Sequence, residues 1–282
     1  SPACEGCYAE AMARRFRGTP KPCTAANAAE NVTLHPERLT TPLRWRKPRR
    51  VFVCSVSDLF HDQVPDEFID QVLAVIWLAR QHTFQILTKR PERMHRYLTE
   101  PVPYAALPER SRGRSYMIYA ATQQLFGTVA AEHVYGAVPP NLWLGVTAED
   151  QRRADERIPL VLQTPAAVRF VSVEPMLEQV NLKQWLMCEF VAGPVIEPRP
   201  GTIGGQPMRA ARLRPRLDWV IAGCESGAKS RPAELDWFRH LRDQCEAAGV
   251  AFFYKQAMTG GKLDHEPMLD GRTWREFPTE QP

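Results

Sequence analysis

What the 282-residue sequence lacks narrows its class before any motif is considered. No apolar run approaches the ~20 residues needed to cross a bilayer, and no signal-peptide pattern opens the chain. A cytoplasmic location is therefore expected. There is no internal repeat and no domain linker, so a single domain over 1–282 is the expectation. Seven cysteines, an odd count in a chain of this size, argue against a disulfide framework. The pair Cys4-Glu5-Gly6-Cys7 has no second CxxC, CxxH or HxxxH to complete a zinc site. Gly204-Gly205 lacks the strand-to-helix setting of a phosphate loop. The chain also opens on Ser1 directly into a cysteine-rich turn, from which residues upstream are expected.

What is there is the composition of a globular protein, 44% hydrophobic and 24% charged, long enough for a large core. The net charge of +4 permits an anionic ligand without demonstrating one. Short apolar runs alternate with helical periods. Six runs read as strands: Val51–Val56, Phe84–Leu87, Leu142–Val146, Val168–Val173, Trp219–Gly223 and Val250–Tyr254. Helices are expected at Pro65–Arg80, from Asp150 to about Leu162, and at Leu235–Ala248, where Gly249 gives a C-cap. Runs apolar enough to be buried on both faces, separated by helices, predict a parallel α/β sheet. Two stretches break the rhythm and read as insertions. About 101–140 carries the basic patch Arg110–Arg114 and a helix from about Ser115 to Val134. About 189–215 is rich in Pro, Gly and Arg, with no clear period.

Active sites of parallel α/β folds lie at the carboxyl ends of the strands. Here those ends read Ser57-Asp58, Thr88-Lys89-Arg90, Thr147 to Glu149, Glu174, Glu225-Ser226 and Lys255-Gln256. Polar groups at all six predict a ring around a pocket. CxxC spacing lets two thiolates share one metal, and soft sulfur selects zinc or iron–sulfur. Structural zinc, a redox dithiol, an iron–sulfur cluster and an inert pair all remain open on the spacing alone. Cys54, Cys224 and Cys245 read as buried small hydrophobes. Structural roles stand beside the functional ones: Asp58 as a helix cap, Lys89-Arg90 as a solvated strand exit, Glu225 and Lys255 as an ion pair across the mouth, and His61 as a loop histidine.

The segments Ser1–Glu10, Phe52–His61, Leu87–Arg93, Asn141–Thr147, Val171–Pro175, Ala222–Gly227 and Phe252–Gln256 resemble a family of phage and bacterial proteins of unknown function, associated with a three-Cys-motif partner protein. That family is similar to the radical S-adenosylmethionine superfamily, and within it to the spore photoproduct lyase group. The resemblance covers nearly the whole chain outside the two insertions. It implies an incomplete (β/α) barrel of about six to seven strands, a [4Fe-4S] cluster on three cysteines, and S-adenosylmethionine on the fourth iron. Its chemistry would be one-electron cleavage of the sulfonium to a 5′-deoxyadenosyl radical. Carried over by position, Cys4 and Cys7 are metal ligands, and the family's first cysteine falls before Ser1. Gly6 replaces the usual aromatic before the last cysteine, and Tyr8 follows it.

The same resemblance assigns Ser55, Ser57 and Asp58 to the cosubstrate's amino group, Lys89 and Arg90 to its carboxylate, and Glu149, Ser172 or Glu174 to its ribose. Glu225, Lys255 and Tyr8 are the catalytic candidates. A nucleic acid or nucleobase is the expected substrate class; Arg110–Arg114 and the run Arg44–Arg50 around Trp45 could contact phosphate, although solvated faces are the more usual account of such clusters. The rival expectation is a non-catalytic, phage-related nucleic-acid-binding protein with structural zinc.

Overall fold

The computed structural model describes residues 21, 24–100, 114–134, 138–187, 190–196, 208–213, 215–226 and 230–279. Its centre is a curled seven-stranded sheet forming a half-barrel. The strands are β1 Arg50–Val53, β2 Thr83–Thr88, β3 Leu142–Thr147, β4 Val168–Val173, β7 Trp219–Gly223, β8 Ala251–Thr259 and β9 Lys262–Asp264, in the order β1-β2-β3-β4-β7-β8-β9. The first six are mutually parallel. They are the six runs read as strands in the sequence, and each lies beside its neighbour in chain order. That order, rather than one reversing at its centre, is the order of a barrel. Only β9 is antiparallel, paired with the end of β8.

The main crossovers are helical: α1 Asp66–Leu78, α2 Pro91–Thr99, α3 Arg114–Phe126, α4 Gln151–Gln163 and α5 Leu235–Ala248. Strand alternation divides the side chains between two clusters. Phe84, Ile86, Leu144, Val146, Val171, Val220, Phe252 and Tyr254 face the helices, in one core with Ile69, Leu73, Ile158 and Leu241. The opposite, concave face carries Trp143, Val168, Phe170 and Trp219, flanked by Leu87, Ile221, Ala251 and Phe253. Both faces are apolar, which is why these strands read as continuous hydrophobic runs.

Three local expectations are corrected. β1 stops at Val53 instead of Val56, because Cys54 takes a left-handed backbone, φ 61°. The helix expected to Val134 ends at Phe126, since Gly127 has φ 88°, and a single turn, Thr128–Ala131, follows. The 189–215 stretch contains an antiparallel pair, β5 Phe190–Ile196 with β6 Met208–Leu213, irregular between Ala192 and Val195. Its Pro, Gly and Arg content hid the strand period. The chain finishes with a small ribbon of β10 Met268–Leu269 and β11 Arg272–Thr273. Among the described residues no helix is long and apolar enough to cross a membrane.

Candidate functional site

The two ends of the half-barrel differ in chemistry. At the amino ends of the strands, Trp219 makes ring contacts with Trp143, Phe170, Phe253 and Phe277, at centroid separations of 5.1–5.9 Å. Arg50 from β1 lays its guanidinium 3.8 Å over the Phe277 ring. Phe277 also packs on Phe253 of β8, and since β1 and β8 are the first and last strands of the parallel set, the two contacts link its margins beneath an aromatic floor. Gly145 on β3 permits it: a Cβ there would lie 2.3 Å from the Phe170 ring.

The carboxyl ends carry charge. The Lys255 ammonium donates to both carboxylate oxygens of Glu174, at 3.0 and 2.9 Å. Glu174 is 15% exposed and Lys255 50%, so the pair stands at the boundary of the mouth and solvent. Glycine at 223 leaves room for it, since a Cβ there would sit 3.2–3.3 Å from Glu174 and Gln256. Gln256 in turn donates to the Cys224 carbonyl at 2.9 Å and locks β8 to β7. Ser172 is buried at the end of β4, beside Thr147 in register. Lower in the wall, Gln85 is 8% exposed and its buried amide nitrogen has no acceptor among the described residues.

Asp58 is a junction. Its carboxylate accepts from Phe60 N (3.0 Å), Thr88 Oγ1 (2.8 Å), Lys89 N (3.1 Å) and the Arg90 guanidinium (3.0 Å). It does not cap α1, which begins at Asp66; it ties the loop after β1, with Ser55 and Ser57, to the end of β2. Lys89 extends beside this junction with no acidic partner for its ammonium among the described residues. Glu149, fully buried, receives Arg157 at 3.0 Å while the same guanidinium donates to the Thr147 carbonyl at 2.8 Å.

The expected Glu225–Lys255 pair is overturned. Glu225 is held by Arg231 through its backbone N–H and guanidinium at 2.6–2.9 Å, and Lys255 turns to Glu174 instead. The reason is reach: Arg231 follows Glu225 closely enough to form a local loop clamp. That guanidinium holds the Glu225 carboxyl below the usual carboxylate range. His61 is a loop residue as expected, its ring accepting from Gln63 N at 3.1 Å. Burial and the neighbouring Arg90 lower its pKa.

Cys4, Cys7 and Tyr8 lie outside the described residues, as do Arg110 and Arg112. Burial raises the thiol pKa values of Cys54, Cys224 and Cys245, that of Cys224 to about 11 with Glu174 adding to the effect. Cys224 and Cys245 are buried as expected, whereas Cys54 is half-buried beyond the end of its strand. Among the described residues no three His, Cys, Asp or Glu side chains gather in a metal-binding group.

Arg157, Arg231 and Gly223 were missed by the sequence reading, whereas Thr88 stood among its polar strand ends. Only Arg157 left a signal, a charge on the buried stripe Ala154, Ile158, Val161 and Leu162 of α4. Arg231 acts across a loop, where no period marks it, and Gly223 ends an apolar strand whose pattern gives no sign of the space it leaves.

No curated protein and no solved structure matches the chain. A family model described as a protein of unknown function, DUF5131, matches residues 1–278, and the chain belongs to that family.

Proposed function

We propose that the protein is an iron–sulfur enzyme of the radical S-adenosylmethionine type, working at the carboxyl rim of the half-barrel on a nucleic acid or nucleobase. One observation carries the reading: six parallel strands in chain order bring polar ends to one mouth, in a chain that also bears a CxxC pair. The donor chemistry of Cys4 and Cys7 suits a soft iron–sulfur group. The three described cysteines, with raised pKa values, are poor thiolate donors by comparison. The chemistry supplied by a bound cluster is one-electron cleavage of the S-adenosylmethionine sulfonium, the source of a 5′-deoxyadenosyl radical.

The chain's own residues would bind and shield. The half-exposed Lys255 can swing from Glu174 to a carboxylate ligand, leaving Glu174 to accept from ribose hydroxyls. Lys89 offers a second cation, and Ser172 a hydroxyl. Asp58 and Glu149, each engaged by its own arginine, position the loops rather than touch the ligand. Within this reading a three-Cys-motif protein is a partner, and the rim is where its substrate would meet the radical.

The test is reductive cleavage of S-adenosylmethionine to 5′-deoxyadenosine by anaerobic full-length protein. Activity is expected in the wild type and lost in Cys4→Ala and Cys7→Ala. Cleavage that persists in both variants would overturn the assignment of these ligands.

A further inference from the structure

The two basic clusters of the sequence have different fates in the fold. Arg114, the last arginine of the Arg110–Arg114 patch, is turned into the protein. Its side chain is 9% exposed, and the guanidinium bonds Asp66 and Asp70 at 3.2 Å and lies 3.7 Å over the Tyr97 ring. Elsewhere too, arginines sit on carboxylates: Arg90 on Asp58, Arg93 on Asp66, Arg152 on Glu156, Arg239 and Arg242 on Asp270, Arg272 on Glu276.

The run from 44 to 50 differs in being a contiguous cluster. Arg44, Arg46, Lys47, Arg49 and Arg50 are all exposed, and none has an acidic partner within 4 Å among the described residues. The nearest acid in sequence, Glu37, is taken by His35 and Arg38. Arg50 covers Phe277 in the floor, so four cations face outward. Arg49 lies 4.8 Å over the Trp45 ring, which is itself braced edge-on against buried His82. His82 is fixed by the Arg49 N–H at one ring nitrogen and the Pro42 carbonyl at the other. The segment is thus an unneutralised cationic ridge, mainly arginine, with Arg49 seated on Trp45.

We propose that this ridge is a docking surface for a nucleic-acid phosphate backbone. Guanidinium groups suit phosphate because their planar donors pair with its oxygens. A short ridge of arginines, with its tryptophan packed rather than inserted outward, lacks the apolar anchor of a membrane-binding segment. The position is apt. Arg50 begins β1 and Cys54 follows its end, so the ridge and the mouth loop are separated by one four-residue strand. At about 3.3 Å per residue that is roughly 13 Å, a span of a few nucleotides. A strand held at the ridge has a nucleotide within reach of the mouth. This inference shares only the nucleic-acid class with the proposed enzyme; it does not depend on the radical chemistry.

The experiment is fluorescence anisotropy of a labelled 20-nucleotide mixed-sequence single strand with the full-length chain, across a salt series. In the variant Arg44→Ala/Arg46→Ala/Lys47→Ala/Arg49→Ala, binding at about 0.1 M salt is expected to weaken by more than about tenfold. The slope of log K against log salt should flatten by about 0.7 per cation removed, close to 3 in all. A control removes four ion-paired arginines (Arg152, Arg239, Arg272 and Arg275, each to Ala) for the same net charge change and should retain the wild-type affinity. Circular dichroism melts confirm that both variants fold. Equal loss in both variants, or an unchanged slope in the first, would overturn the proposal. So would ridge-dependent binding to phosphatidylserine vesicles without ridge-dependent oligonucleotide binding. A ridge-dependent oligonucleotide complex in a protein that cleaves no S-adenosylmethionine would sink the enzyme reading and leave this one standing.

Discussion

The two ends of the half-barrel are made from the same six strands yet follow opposite rules. At the amino ends, Trp143, Phe170, Trp219, Phe253 and Phe277 stack into a floor whose value is burial. At the carboxyl ends, Asp58, Glu149, Glu174, Glu225 and Lys255 hold charge at the mouth. Three of those four carboxylates are neutralised by arginines, which form fixed clamps; Glu174 alone meets a lysine that is half in solvent. The difference separates residues that shape the mouth from a pair that can exchange partners.

That division sets the order of expected effects. Trp219→Ala removes a ring packed on four others and the indole donor to the Glu276 carbonyl. It should cost about 3–5 kcal/mol, read as a fall in the urea midpoint. A loss below about 1 kcal/mol would mean that the floor does not bear on stability. Glu149→Gln leaves the buried Arg157 without its counter-charge and should cost about 3 kcal/mol. The double variant Glu149→Gln with Arg157→Met, which removes the orphaned charge, should recover much of that by the same midpoint measurement. Lys255→Ala breaks an exposed pair and should cost less than about 1 kcal/mol. Retained stability with weakened S-adenosylmethionine binding by calorimetry would set the rim apart from the floor. A large drop in melting temperature would erase the distinction.

The smallest effects concern pH. Burial raises the Asp70 carboxyl pKa, against the pull of Tyr97 and Arg114. A raised folded pKa favours the protonated form in the native state, so stability is fullest below the ordinary aspartate range and declines as pH rises through the folded value. Glu225 is the reverse: its contribution is present at neutral pH and is lost as pH falls through its lowered value. Carbon-13 titration of the two carboxyls should place Asp70 above and Glu225 below their ordinary ranges. The opposite order would break the assignment of one clamp as buried and the other as a loop contact.

Much of the scaffold was legible in the sequence because both faces of the sheet are apolar. Runs such as Leu142–Val146 and Trp219–Gly223 admit little besides a buried strand, and their polar ends mark the rim. The mouth was legible only as a roster of side chains. Which carboxylate meets which cation depends on loop paths, so Lys255 was matched with Glu225 when the fold gives it Glu174. Likewise Arg114 and Arg46 look alike in sequence, and only packing shows that one is a core clamp and the other a free surface cation. The β5–β6 ribbon escaped for a different reason, since Pro, Gly and Arg interrupt the alternation that marks a strand.

The most direct measurement is the metal content of the full-length protein purified without oxygen. The expected result is a brown protein with about four irons and matching acid-labile sulfide per chain, both lost in Cys4→Ala/Cys7→Ala. A colourless protein carrying one zinc and no iron would contradict the proposed function.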